Sequence, residues 1–328
     1  MAYDEKATFR GYIIALVGTA IWSASAVFIS YLTTRFQMPP MPLAFWRDFL
    51  TTITLAGLLA VFARPLLQLG RRHLPFFLLY GFVLAVFNSL WTISVALNGA
   101  AVSTLLIYVS PAFTALIGWR WLGERITAAK IVAIVLSLIG CVFASGAHDP
   151  SAWEVNSVGI AVGVATGLVF AFYSLMGKKS SAKGVSPWTA TLYAFAFGSA
   201  FLLLLQRPDT FFWLSRPISQ GPAGWREAAL GWGTIILLAI GPTLGGYGLY
   251  TVSLSYLPTS TANLILTLEP AMTAALAFVF LGEKLTSAQL LGGGLVLVGV
   301  FLLRVSETTR ELRHPGATPS ESTSAPKS

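Results

Sequence analysis

Charge and cysteine are what this chain has least of. Only 10% of its 328 residues are Asp, Glu, Lys or Arg, while 55% are hydrophobic; soluble domains carry roughly 25% charged residues. That leaves too little polar surface to face water, which excludes a soluble globular enzyme or binding module. Cys141 is the only cysteine, so there is neither an intramolecular disulfide nor a thiolate metal site. It lies in an apolar run and reads as buried filler. The three histidines, His73, His148 and His314, fall in connections or at segment ends, and none is spaced to share a metal with another. Gly177-Lys178-Lys179-Ser180 lacks the spacing of a phosphate-binding loop, so transport driven directly by ATP is excluded. Paired carboxylates, a nucleophilic triad and a metal-binding helix are missing too, so the chain is not expected to be an enzyme or to carry a cofactor.

What is present is apolar sequence in long runs. A spanning helix needs about 20 apolar residues, and ten runs qualify: 11–33, 41–63, 74–97, 100–121, 127–145, 156–177, 186–206, 228–254, 259–281 and 286–304. The basic head with Lys6 and Arg10 also fits a signal peptide, with Ser23-Ala24-Ser25 as a cleavage site. The apolar run continues past that point, which favours an uncleaved first span. Lys and Arg set the orientation. With the N-terminus inside, the inner side holds Lys6, Arg10, Arg64, Arg71, Arg72, Arg120, Arg125, Lys130, Lys178, Lys179, Lys183, Arg304, Arg310, Arg313 and Lys327. Only Arg35, Arg47, Arg207, Arg216, Arg226 and Lys284 fall on the outer side. Both termini are therefore expected in the cytoplasm. The basic residues follow inner helix edges and form no single patch, so the +8 net charge does not point to nucleic acid. It suits anionic lipid headgroups instead. The longest connection, 207–227, carries Phe211, Phe212, Trp213 and Trp225 and reads as an interfacial segment.

One stretch is written twice. LLIYVSPAFTALIGWRWLGERITAAK begins at Leu105, and LILTLEPAMTAALAFVFLGEKLTSAQ begins at Leu264. Pro111 pairs with Pro270, Gly123-Glu124 with Gly282-Glu283 and Gly140 with Gly299, at a constant offset of 159 residues. Duplicated halves in an apolar chain are a common plan of secondary transporters. Five spans per half return the second copy inverted, so that two opposite tilts are near mirror images.

An apolar run with an internal proline, then L-G-E-[RK] and a threonine opening the next helix, all present twice, resembles the EamA family of the drug/metabolite transporter superfamily. The resemblance covers nearly all of 11–304. It implies an all-α integral membrane protein of ten transmembrane helices in two inverted five-helix repeats, and export of small metabolites, amino acids often among them. The expected divisions are 1–147, 148–305 and a disordered cytoplasmic tail at 306–328.

Ionisable groups inside a membrane cost up to about 3 kcal/mol each on insertion scales and are functional by default. Arg47 and Asp48 are sequence neighbours expected to point apart and to find partners at the interface. Glu269 precedes Pro270 and faces Ser110 in the first copy, so its charge breaks the internal symmetry. It is the candidate coupling group for protons, or the partner of a substrate amine. Candidates for the cavity wall are Trp22, Ser25, Asn88, Trp91, Tyr108, Tyr173, Tyr247, Asn263 and Thr267, with Ser23, Ser103 and Tyr250 beside them: aromatic surface with a few placed polar groups. Pro111, Gly123, Glu124, Pro270, Gly282 and Glu283 read as structural motif residues, the glutamates tying helices together or pairing with Arg125 and Lys284. Gly241-Pro242 to Gly248 is a candidate gate hinge. The expected function is export of amino acids or related metabolites by a monomer in a bacterial inner membrane. The alternatives are a drug exporter and, in another class, a receptor or scaffold without transport.

Overall fold

The computed structural model describes residues 5–110, 112–114, 116–117, 128–144, 150–220, 222–253, 256–257, 262 and 265–313. Pro111, Gly123, Glu124 and Asn263 lie outside them. The described elements are all helices joined by turns and short connections, with no strand among the described residues. α1 is Glu5–Arg35, α2 Pro40–Phe62, α3 Leu74–Asn98, α4 Ala100–Ile107, α5 Ala128–Ala144, α6 Pro150–Ala182 and α7 Pro187–Leu204. After a single turn at Pro208–Phe211 and a 3₁₀ segment at Trp213–Gln220 come α8, Pro222–Leu238, a π-helical segment, Ala239–Gly245, and α9, Gly246–Ser253. α10 is Glu269–Leu281 and α11 Ser287–Arg313.

Among the described residues, six helices are long and apolar enough to cross a membrane: Phe9–Arg35, Pro40–Phe62, Arg71–Asn98, Asn156–Ala182, Pro187–Leu204 and Gly224–Ser253. Shorter apolar helices occupy the four other stretches read as spans. Proline opens several elements, where its missing N–H is one a helix start leaves unpaired anyway. α3 turns into α4 through Gly99, whose φ of +79° favours glycine. The outside is apolar: Phe62 is 82% exposed, Leu204 80% and Phe280 71%, a surface that needs hydrocarbon rather than water. Together these features make the chain a multi-pass membrane protein.

Backbones approach closely at small residues. A Cβ on Gly140 would stand 2.6 Å from Gly292 O, and one on Gly292 would stand 2.4 Å from Ala144 N, so α5 and α11 pack main chain to main chain. On the other side of the bundle, a Cβ on Gly246 would meet Trp22 Cα at 3.0 Å, which seats α9 against α1. The main apolar cluster gathers Ile29 and Leu32 of α1, Leu43 of α2, Trp91 and Val95 of α3, and Ile235 and Leu238 of α8.

Four local features depart from the sequence reading. The expected span 100–121 is not one continuous helix: α4 ends at a turn over Tyr108 and Val109 before helix resumes at Ser110. The expected span 259–281 is interrupted at the same place in its repeat, by a turn over Thr267 and Leu268 before α10 begins. Pro270 therefore opens a helix, at one of its first two positions, rather than loosening the middle of one. α6 is kinked at Asn156, whose φ and ψ of −143° and 37° are not helical; its side chain accepts from Gly159 N–H and so caps the apolar part. α11 continues to Arg313, beyond the expected start of a disordered tail at 306, because proline and serine become frequent only after His314 while Glu307, Arg310, Glu311 and Leu312 favour helix.

Candidate functional site

The two broken helices meet. The Tyr108 hydroxyl, in the turn that ends α4, lies 2.9 Å from Glu269 Oε2 and 2.9 Å from Leu266 O. Its single proton can serve only one acceptor at a time. Glu269 stands in the first turn of α10, where the helix dipole favours a carboxylate. Helix α1 closes the third side: Ser23 Oγ is 3.4 Å from Glu269 O, and Thr273 Oγ1 donates to Ser23 O at 3.1 Å. Sequence counterparts thus supply unlike chemistry: a hydroxyl at Ser110 and a carboxylate at Glu269.

Aromatic rings form a second group. Tyr247 of α9 packs against Trp22 of α1, with centroids 6.2 Å apart, and edge-on against Trp188 of α7 at 5.9 Å. Trp22 also meets Tyr250 in a T-shaped contact at 6.2 Å. Across from these, Tyr173 of α6 contacts Tyr80 of α3 at 5.0 Å and stacks on Phe87 and Phe170. The Tyr80 and Tyr173 phenols interact electrostatically with each other and with Tyr247, so the two sets of rings belong to one interior. Every ring here has an apolar face and a polar tip or edge, as in pockets for small organic solutes.

A charged cluster completes the interior. Arg47 and Asp48 do not point apart to separate partners. Arg47 Nε donates to Asp48 Oδ1 at 3.2 Å, and Asn88 Nδ2 of α3 donates to Asp48 Oδ2 at 2.6 Å. Asp48 has no exposed surface and Arg47 is only 4% exposed. The ion pair forms because each charge, denied water, is more stable beside the other, and the amide satisfies the oxygen that Arg47 leaves over. One turn on, Thr51 Oγ1 is 2.8 Å from Arg47 O and 3.4 Å from Ala239 O, the carbonyl that opens the π segment. Thr243 meets another carbonyl freed there, donating to Leu238 O at 2.9 Å. The glycine–proline stretch read as a hinge is therefore a π-helix containing Pro242, a local widening often found at functional sites.

Glu283 ties elements together, though not through Lys284. Its carboxylate accepts from Ala100 N–H at 3.0 Å, Ala101 N–H at 3.2 Å and the Ser30 hydroxyl at 3.1 Å. It caps α4 from the far end of the sequence, beside Gly282 in the left-handed region at φ +70°.

Of the residues expected at the cavity wall, Trp22, Tyr173, Tyr247 and Tyr250 join the rings, and Tyr108 joins Glu269. Asn88 belongs to the charged cluster. Trp91, 7% exposed, is part of the apolar core instead. Ser103 is buried against Ser94, whose hydroxyl donates to it at 2.9 Å. Ser25 is half-buried and Thr267 is buried in the turn before α10. Sequence reasoning missed Tyr80, Phe87, Phe170 and Trp188. Tyr80 and Trp188 lie in the first two turns of their helices, where an aromatic reads as part of an interfacial belt. Among the described residues no cluster of His, Cys, Asp or Glu could hold a metal ion.

A helical bundle with an apolar outside and a polar, aromatic and charged interior has the build of a membrane transporter. The chain belongs to the EamA-like transporter family, whose model matches residues 9–146 and again 157–305. It is 28% identical over 254 residues to an uncharacterized transporter of Archaeoglobus fulgidus, covering 75% of this chain and 82% of that one. It is 30% identical to a probable terminal-alkyne amino-acid exporter of Streptantibioticus cattleyicolor, covering 66% of this chain and 69% of the relative. It is 28% identical to the threonine/homoserine exporter RhtA of Escherichia coli, covering 67% and 68% respectively. A solved crystal structure has the same fold, with a TM-score of 0.57 at 17% identity over 90% of this chain and 98% of that one. The relatives are transporters, not enzymes.

Proposed function

We propose that the protein is a secondary exporter of amino acids or closely related small metabolites, working by alternating access in a bacterial inner membrane. On this reading ten spans form two inverted five-span repeats with both termini in the cytoplasm, and one copy of the chain suffices. The observation that carries it is the Tyr108–Glu269 contact at the meeting of two interrupted helices. Interrupted helices at the interface of inverted repeats are where secondary transporters place substrate and coupling-ion sites. The amino-acid class draws on two of the named relatives, the threonine/homoserine exporter RhtA and the probable terminal-alkyne amino-acid exporter.

Glu269 is the coupling carboxylate in this scheme. It takes a proton or the ammonium group of the solute, and the alternation of the two couples export to the gradient. The rings around Trp22, Tyr173 and Tyr247 provide the apolar wall for the side chain of the solute. Rocking one repeat against the other, with the π segment absorbing the bend, exposes the site to either side in turn.

Counterflow of labelled amino acids into proteoliposomes tests the reading, with and without a proton gradient. Saturable exchange that the gradient accelerates supports it. Absence of exchange across aliphatic, aromatic and hydroxyl amino acids, alongside saturable flux of a lipophilic cation, would replace it with drug export. A chain with no saturable flux of any solute would be a receptor or scaffold.

A further inference from the structure

The charged cluster in α2 holds more donor capacity than the described residues use. The Arg47 side chain is 5% exposed, so it is removed from bulk water. Its Nε–H serves Asp48, yet neither Nη nitrogen has a hydrogen-bond partner among the described residues. The planar fork that matches a carboxylate with two parallel bonds is thus left over. Asp48 cannot take that fork: it is the next residue along, meets the guanidinium at its Nε edge, and commits its second oxygen to Asn88 at 2.6 Å. The two opposite charges cancel, so the pair as a whole is neutral.

The surroundings of this fork are those of a binding site rather than a structural tie. Arg47 lies seven residues beyond Pro40, roughly 10 Å into the helix at 1.5 Å per residue. Asp48 is within electrostatic reach of Tyr173, in the ring-lined interior. Thr51, one turn away, reaches the π segment of the eighth span. A ligand that drew on Arg47 would therefore act beside both the rings and the π segment.

We propose that Arg47 is an anion-binding group that takes the carboxylate of the transported solute, with Asp48 and Asn88 holding the guanidinium in place. This rests on the export reading and narrows it: the solutes carry a free carboxylate, and esters, amides and simple amines are rejected. Asp48 keeps the empty site neutral, so the solute's carboxylate binds through the fork without displacing the Nε–Asp48 bond.

The test is equilibrium binding of labelled threonine, leucine and phenylalanine to the purified full-length protein in detergent, competed by each free acid and by its methyl ester. Melting temperature is recorded for every variant. The expected result is competition by free acids at least tenfold stronger than by esters. Arg47→Lys keeps the charge and the partner Asp48 but loses the planar fork; it should bind at least tenfold more weakly while melting within a few degrees of the wild type. Should Arg47→Gln fail to fold because Asp48 is left unpaired, the double variant Arg47→Gln/Asp48→Asn removes both charges and should fold without carboxylate preference. Esters competing as well as acids, or a folded Arg47 variant binding within twofold of the wild type, overturns the proposal. So does a wild-type protein that binds none of the three acids. Flux of lipophilic cations in proteoliposomes then shows separately whether the transporter reading survives.

Discussion

Tyr108 and Glu269 are 161 positions apart in sequence and 2.9 Å apart in space. Tyr108 stands in the turn that ends α4 and Glu269 opens α10 directly after the matching turn, so the contact joins the two breaks in the spans that carry the duplication. Tyr108→Phe removes the hydroxyl and leaves the ring; Glu269→Gln removes the charge and leaves the shape. Both variants are expected to fold. Glu269→Gln should abolish acceleration by a proton gradient while counterflow persists, and Tyr108→Phe should slow exchange severalfold with the gradient response intact. Flux in proteoliposomes at matched protein content checks both.

Glu283 is expected to matter for stability. Glu283→Ala removes the acceptor for two backbone N–H groups and the Ser30 hydroxyl, costing on the order of 1–3 kcal/mol. Glu283→Gln keeps one carbonyl acceptor and should fall between the two. Melting in detergent, followed by loss of monodisperse elution, gives the order.

The Asp48 cluster predicts an asymmetry. Asp48→Ala strands the Arg47 charge and should cost about 3–5 kcal/mol, the loss typical of breaking a buried pair from one side. Removing both charges together, as in Arg47→Met/Asp48→Leu, should cost much less. A double variant less stable than Asp48→Ala would show that the cluster stabilises through something other than charge pairing.

The seam between α5 and α11 should reject any side chain at Gly292, where a Cβ would stand 2.4 Å from Ala144 N and 2.6 Å from Gly140 O. Gly292→Val is expected to lower the melting temperature sharply or prevent insertion. Gly294→Ala is the control, since nothing lies within 4 Å of the added carbon. Expression and melting of the two, side by side, decide the matter.

For the π segment, the space around each glycine selects the useful substitution. Gly246→Ala would strike Trp22 and confound folding with motion, whereas a Cβ on Gly241 meets only Leu237 Cδ1 at 3.7 Å. Gly241→Ala combined with Pro242→Ala restores an N–H and regular helix propensity. Exchange should slow several-fold while the melting temperature holds or rises. Unchanged exchange would remove this segment from the transport cycle.

Much of this was legible in the sequence, and the gaps have physical reasons. The apolar runs and the 159-residue offset between Pro111 and Pro270 pointed to a duplicated membrane bundle. Asn88 was marked because an amide in hydrocarbon needs a partner; that the partner is Asp48 depends on how α2 crosses α3, which no spacing in one chain encodes. Arg47 and Asp48 misled because adjacent residues on a helix point about 100° apart, yet the long Arg side chain folds back far enough for Nε to reach its neighbour. The breaks at Tyr108 and Thr267 stayed hidden because apolar runs carry no periodic signal to interrupt. Tyr80 and Trp188 give no signal in the sequence, because they stand near helix starts and depth in the bundle cannot be read from sequence distance.

The glycine seam at Gly140 and Gly292 sets a limit on how the molecule changes shape. α5 packs mainly on α11 and reaches the rest of the bundle through α4. Two backbones in contact leave no side chains between them to repack, so this pair can pivot as a block but cannot slide. In the proposed rocking cycle the pair would serve as an axle, fixing the line about which the halves turn and leaving the travel to the other helices.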